Sequence, residues 1–135
     1  MSGKRPFPPA LDTFVALFNR EAFWESHEAL EGPWRECRSA FYHGLILCAS
    51  ALVHAQRGNP HGVRAQLAKA ERRLRDCGPA YLGVDVATLL TATANVRDAV
   101  AAGREPVFPR IVLREELRRG DEWEDLPLEP PPAGG

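Results

Sequence analysis

Apolar residues recur at helical spacing through most of the chain and at strand spacing almost nowhere. Leu11, Phe14, Val15 and Phe18 stand at i, i+3, i+4 and i+7, one face of a helix. Asn19 follows and predicts a stop, since asparagine tolerates the left-handed conformation. A second helix is predicted over about residues 21–31, and further only if it survives Gly32-Pro33. A third covers about residues 39–56 without a single charged residue. Arg57-Gly58-Asn59-Pro60 then reads as a break: glycine ends one helix, asparagine caps the next, and proline takes its first turn. The fourth helix carries Val63, Leu67, Ala70, Leu74 and Cys77 on one stripe, with Arg64, Lys69, Arg72, Arg73 and Arg75 largely elsewhere, until Gly78-Pro79 ends it. Asp85 is placed to cap a fifth helix with Val86, Leu89, Thr93, Val96 and Val100 as its apolar face and Gly103 as its end. Strand-like alternation is confined to residues 107–112, too short to build a sheet.

The prolines fall mainly outside this pattern. Because proline lacks an N–H and clashes with the preceding turn, the middle of the chain is free to be helical and the ends are not. Short links between consecutive helices imply antiparallel neighbours. The fold expected is therefore all-α, an up-and-down bundle of about five helices with an extended, proline-containing C-terminal arm. Residues 1–10 read as an N-terminal arm, 11–112 as the bundle, and 113–135 as a tail, partly disordered. The third helix approaches the length of a membrane span. His43, Gly44, Ser50, His54 and Gln56 argue instead for a central helix buried on most sides, with no membrane partner. His43, Leu47, Ser50 and His54 share one narrow stripe of it.

Composition adds limits. The 135 residues are 44% hydrophobic and 26% charged, with a formal net charge of −1. That is the balance of one soluble domain, and it disfavours nucleic acid or an anionic membrane as a bulk-charge partner. Three cysteines are too few and too odd for a secreted disulfide scaffold. Residues 1–10 contain no apolar stretch of signal-peptide type. The expected compartment is the reducing cytoplasm.

The densest cluster of reactive side chains is Phe23-Trp24-Glu25-Ser26-His27-Glu28-Ala29-Leu30-Glu31-Gly32-Pro33-Trp34. Phe23, His27, Leu30, Glu31 and Trp34 share one broad helical sector, which puts His27 and Glu31 on or beside a face that should be buried. A buried carboxylate needs a partner, a metal or a proton. The i, i+4 spacing lets His27 and Glu31 meet or share a ligand. A His-Glu-x-x-His zinc motif fails because its second histidine position is Glu31. A Glu-x-x-His di-iron motif fails because its carboxylate position is Trp24. The metal-site candidates are then His27, Glu31, Glu28 and, from the third helix, His54, with a divalent metal as the one cofactor class they would admit. The plainer reading is a histidine–carboxylate hydrogen bond, with Trp24 and Trp34 as core or groove aromatics. Cys48 and Cys77 read as small core hydrophobes.

The run Phe18-Asn19-Arg20-Glu21-Ala22-Phe23-Trp24-Glu25-Ser26-His27-Glu28-Ala29-Leu30-Glu31, with Trp34, resembles the prokaryotic domain of unknown function DUF309, whose hallmark is His-x-x-x-Glu-x-x-Trp or Tyr. Gly44-Leu45-Ile46, His54 with Arg57-Gly58-Asn59, Gly83-Val84-Asp85-Val86 and Phe108-Pro109-Arg110-Ile111 add to the likeness. The resemblance implies a small up-and-down helical bundle and a motif suggested to bind metal, with no activity attached. Gly32-Pro33 interrupts the motif and is expected to displace Trp34 from where an unbroken helix would put it. Two functions remain in view. One is a non-catalytic domain that binds a protein or small-molecule partner, or a second copy of itself, with His27 and Glu31 structural. The other is a metal-binding protein or metal-dependent hydrolase using His27, Glu31 and Trp34.

Overall fold

A computed structural model describes residues 7–118, so the remainder of the predicted tail, and its expected disorder, lie outside the described residues. Five α-helices form within that span: α1 (Pro9–Asn19), α2 (Phe23–Cys37), α3 (Ala40–Gln56), α4 (Pro60–Arg75) and α5 (Val86–Ala101). A single 3-10 turn follows at Glu115–Leu117. No strand occurs among the described residues; Tyr81 and Val84 form an isolated bridge. The bundle architecture is thus the one expected, and no helix among the described residues is long and apolar enough to cross a membrane.

The caps follow local chemistry. Ser39 accepts a hydrogen bond from the Tyr42 N–H, Asn59 from the Gly62 N–H and Asp85 from the Thr88 N–H. Each satisfies an amide that the first turn of a helix leaves without a partner. Gly58 and Gly103 take the left-handed conformation at the ends of α3 and α5.

Helix α3 is the axis of the core, packing against α2, α4 and α5. Every one of its residues is buried except His43, Ser50, His54 and Gln56. The absence of charge is what allows this, since no ion has to leave water. Leu45, Phe41 and Leu52 are fully enclosed, and each such side chain contributes about 1.5–3 kcal/mol of burial. Helices α3 and α4 approach closely because Gly44 has no side chain: a Cβ there would run into the Leu74 isobutyl group.

Three expectations change. Helix α1 starts at Pro9, inside the predicted arm, because proline is tolerated in the first turn, where its missing N–H is not needed. The left-handed residue after α1 is Glu21 (φ 62°), not Asn19. Asn19 instead clamps the C-terminal arm, donating from Nδ2 to the Ile111 carbonyl at 2.7 Å and accepting from the Ile111 N–H at 2.7 Å. The arm segment 107–112, which forms no sheet, as expected, is held by that side chain and by Phe108 against Phe23 at 5.3 Å between ring centres. Finally, α2 does not stop at Gly32-Pro33 but runs through to Cys37. Part of the clash that drives the residue before proline out of the helix comes from its Cβ, and Gly32 has none.

Candidate functional site

With α2 unbroken, His27, Glu31 and Trp34 keep the register of one helical side. His27 Nε2 lies 3.4 Å from Glu31 Oε2, at side-chain exposures of 18% and 33%. The pair stands at the rim of the core rather than within it, so the carboxylate keeps water. Arg35 adds a looser contact to the same oxygen at 3.9 Å. His27 Nδ1 faces the Trp24 carbonyl at 3.3 Å. The Trp24 carbonyl and the Glu31 carboxylate are both acceptors, so the neutral ring donates to one or the other according to its tautomer. Trp24 is 52% exposed, on the surface rather than in the core, its ring 5.1 Å from that of His27. Glu28 is exposed.

Trp34 leads elsewhere. Its ring stacks on His43 of α3 at 4.3 Å between centres and 26° between planes. The link between the helices is only Arg38 and Ser39. Arg38 takes the left-handed conformation (φ 54°) and donates its N–H to the Trp34 carbonyl. For a residue with a Cβ this costs on the order of 1–2 kcal/mol. It also folds the Arg38 side chain back, with its guanidinium 4.9 Å from the Trp34 ring centre, a favourable cation–π distance. Arg73 of α4 donates from Nε to His43 Nδ1 at 3.3 Å. Three helices thus contribute to one patch: two stacked rings, with one guanidinium over the Trp34 ring and another bonded to the edge of His43. Arg72 and Arg75 are exposed on the same helix, beside the equally exposed Glu71 and Asp76.

His54, at the other end of the same α3 stripe, is occupied locally. The Asn59 amide accepts from the Gly62 N–H with its oxygen, so its nitrogen is the group 3.1 Å from His54 Nδ1. That fixes Nδ1 as an acceptor and puts the ring proton on Nε2. Gly62 lies directly against the ring, which a Cβ there would strike. His54 is built into the α3–α4 turn and is not brought to the His27–Glu31 pair. Among the described residues no group of three or more histidine, cysteine, aspartate or glutamate side chains comes together to hold a metal ion. A zinc site takes three or four ligands, so the two donors His27 and Glu31 do not fit a tight mononuclear centre.

Two cysteines are enclosed. Burial pushes the Cys48 thiol up to about 12, helped by the negative charge of Glu71, which makes it inert as a nucleophile at neutral pH. The Cys77 thiol is directed at the Arg73 carbonyl at 3.7 Å. Burial also raises the Tyr42 hydroxyl, with Cys37 adding to it.

Sequence reasoning placed the His27–Glu31 contact and the α3 stripe. It missed the partnership of Trp34 with His43, because the proline was expected to displace Trp34. It also missed Arg38 and Arg73, which look like any other surface arginines. The available signal was Ser39: a good cap two residues beyond Cys37 leaves room only for a tight reversal, which brings the end of α2 beside the start of α3.

Residues 11–66 match the family described as Domain of unknown function (DUF309). The likeness noted at Gly83-Val84-Asp85-Val86 and Phe108-Pro109-Arg110-Ile111 falls outside the matched segment. No curated protein matches the chain.

Proposed function

We infer, from the premise that residues 11–66 are of the DUF309 family, that the chain is a non-catalytic binding domain. Its partner is a protein segment bearing carboxylates. The observation that carries this reading is the Trp34–His43 stack at 4.3 Å, with Arg38 over the Trp34 ring and Arg73 hydrogen-bonded to His43 Nδ1. Stacked rings offer a flat apolar contact, and flanking guanidiniums suit carboxylates through paired N–H donors. Glu31 and Glu36 on the same helix oppose a dense run of phosphates, as does the net charge of −1. The His27–Glu31 pair is structural in this reading.

The test is titration of the full chain with a labelled Glu/Asp peptide carrying one central Trp, beside a control with the acids replaced by their amides. The acidic peptide should bind more tightly, and less so as salt is raised. A hydrogen bond to a charged group is worth roughly 1.5–3 kcal/mol, so Arg73→Gln should weaken binding by about tenfold or more. Equal binding of acidic and amide peptides, or no effect of Arg73→Gln, overturns the reading.

One observation favours metal binding as a second reading. A metal-ligating histidine commonly gives its other ring N–H to a backbone carbonyl, and His27 Nδ1 is placed for that, 3.3 Å from the Trp24 carbonyl, with Nε2 directed at Glu31. Glu28, next to His27 in the sequence, and His54 are the candidates for further ligands, though His54 would have to leave both Asn59 and the α3–α4 turn to reach the pair. Elemental analysis of protein purified without a metal-affinity tag decides it. Stoichiometric metal lost in both His27→Ala and Glu31→Ala would establish this reading; its absence in the parent protein would remove it.

A further inference from the structure

We propose that the patch of Trp34, His43, Arg38 and Arg73 is the docking site of the chain's own segment Asp121-Glu122-Trp123-Glu124-Asp125, which thereby competes with the external partner. This rests on the reading of the patch as a carboxylate-binding surface and names its resident occupant. Two observations point to it. The first is charge and shape: four carboxylates surround one indole in that segment, and the patch presents two guanidiniums around two stacked rings. The second is where the chain goes. The described residues end at Arg118, whose guanidinium lies 4.9 Å from the Phe7 ring centre. Arg118 there borders a shallow cavity of about 470 Å³ together with Pro33 and Tyr42. Those two residues directly precede Trp34 and His43 in the sequence. An extended chain spans at most about 3.3–3.6 Å per residue, so Trp123 can reach on the order of 17 Å from Arg118. A tether that short gives an effective concentration on the order of millimolar, so even weak intrinsic affinity fills the site.

The experiment compares the full chain with a full-length variant carrying Asp121→Asn, Glu122→Gln, Trp123→Ala, Glu124→Gln and Asp125→Asn. Each is titrated with a labelled synthetic peptide of residues 119–129. The expected result is about tenfold tighter binding to the variant than to the parent, the ratio set by effective concentration over affinity. Adding Arg38→Gln and Arg73→Gln should abolish binding to the variant. In the parent chain the same two arginine substitutions should shift the Trp123 indole N–H resonance. Equal binding to parent and variant, with loss on removing the arginines, overturns the docking and leaves the patch as a carboxylate site. No binding to either protein overturns both. If the advantage of the variant vanishes on dilution, and the parent sediments as a dimer at high concentration, the occupant is the tail of a second copy and docking within one chain is wrong.

Discussion

His43 and His54 stand on one stripe of one helix, eleven residues apart, and the same helix leaves both part-exposed among buried neighbours. Their surroundings nevertheless differ in kind. His54 is held by residues close in sequence: Asn59, five positions on, bonds its Nδ1, and Gly62 closes over the ring. His43 is held by residues from two other helices, a ring from α2 and a guanidinium from α4. The first arrangement completes a turn. The second gathers aromatic surface and positive charge where the local turn does not require them, and accepts a left-handed Arg38 to do so. A polar residue in a core is thus better judged by the origin of its partners than by its burial.

The largest effect should come from the His54 end. Gly62→Ala drives a methyl group into the His54 ring and should destabilise the fold by about 1–3 kcal/mol, as overpacking does. Thermal or urea unfolding measures it. In a His54→Ala background the same substitution should become neutral, because the clash is gone. If the two losses simply add, the ring contact is not what fixes this turn. Neither change should alter binding of an acidic peptide.

His43→Ala should behave in the opposite way. Losing an aromatic pair costs about 0.5–1.5 kcal/mol of stability, while acidic-peptide binding should fall by a larger factor than Gly62→Ala produces. Equal binding in the parent and His43→Ala would make both ends structural and erase the contrast.

The N-cap of another helix, α5, serves as a control. The Thr88 N–H holds the Asp85 carboxyl below its ordinary range. A lowered folded-state pKa means that the stabilisation is present above the unfolded value, about 3.9, and is lost as pH falls through the folded one. Asp85→Ala should cost about 1 kcal/mol at neutral pH, with the gap to the parent closing under acid. A gap independent of pH would place the effect in packing rather than in the cap.

Most of the fold was legible because it rests on short-range rules. Caps at Asn59 and Asp85 and the uncharged run of α3 each depend on residues within a turn or two. What was not legible depends on contacts across the chain. Asn19 reads as a helix stop, yet its amide fastens Ile111, 92 positions away. Pro33 reads as a break, yet the helix continues through it. Nothing in Arg73 alone distinguishes it from Arg72 or Arg75; only the closeness of α3 and α4 that Gly44 permits brings it to His43. The candidate site was half visible for the same reason, since His27 and Glu31 are one turn apart and Trp34 and His43 are not.

The smallest effect expected is at that visible half. His27 and Glu31 form an i, i+4 pair at the rim of the core, partly in water. Such helix pairs contribute a few tenths of a kcal/mol, about 0.3–0.5. Glu31→Gln and His27→Gln should each shift unfolding by no more than roughly that amount. The double variant should lose less than the sum of the two, since the second change removes a contact already gone. Acidic-peptide affinity should be unchanged or slightly improved by Glu31→Gln, which takes a negative charge away from the side of α2 that carries Trp34. A drop of several kcal/mol in either single variant would instead mean that the pair holds something more than itself, and would return weight to a bound metal.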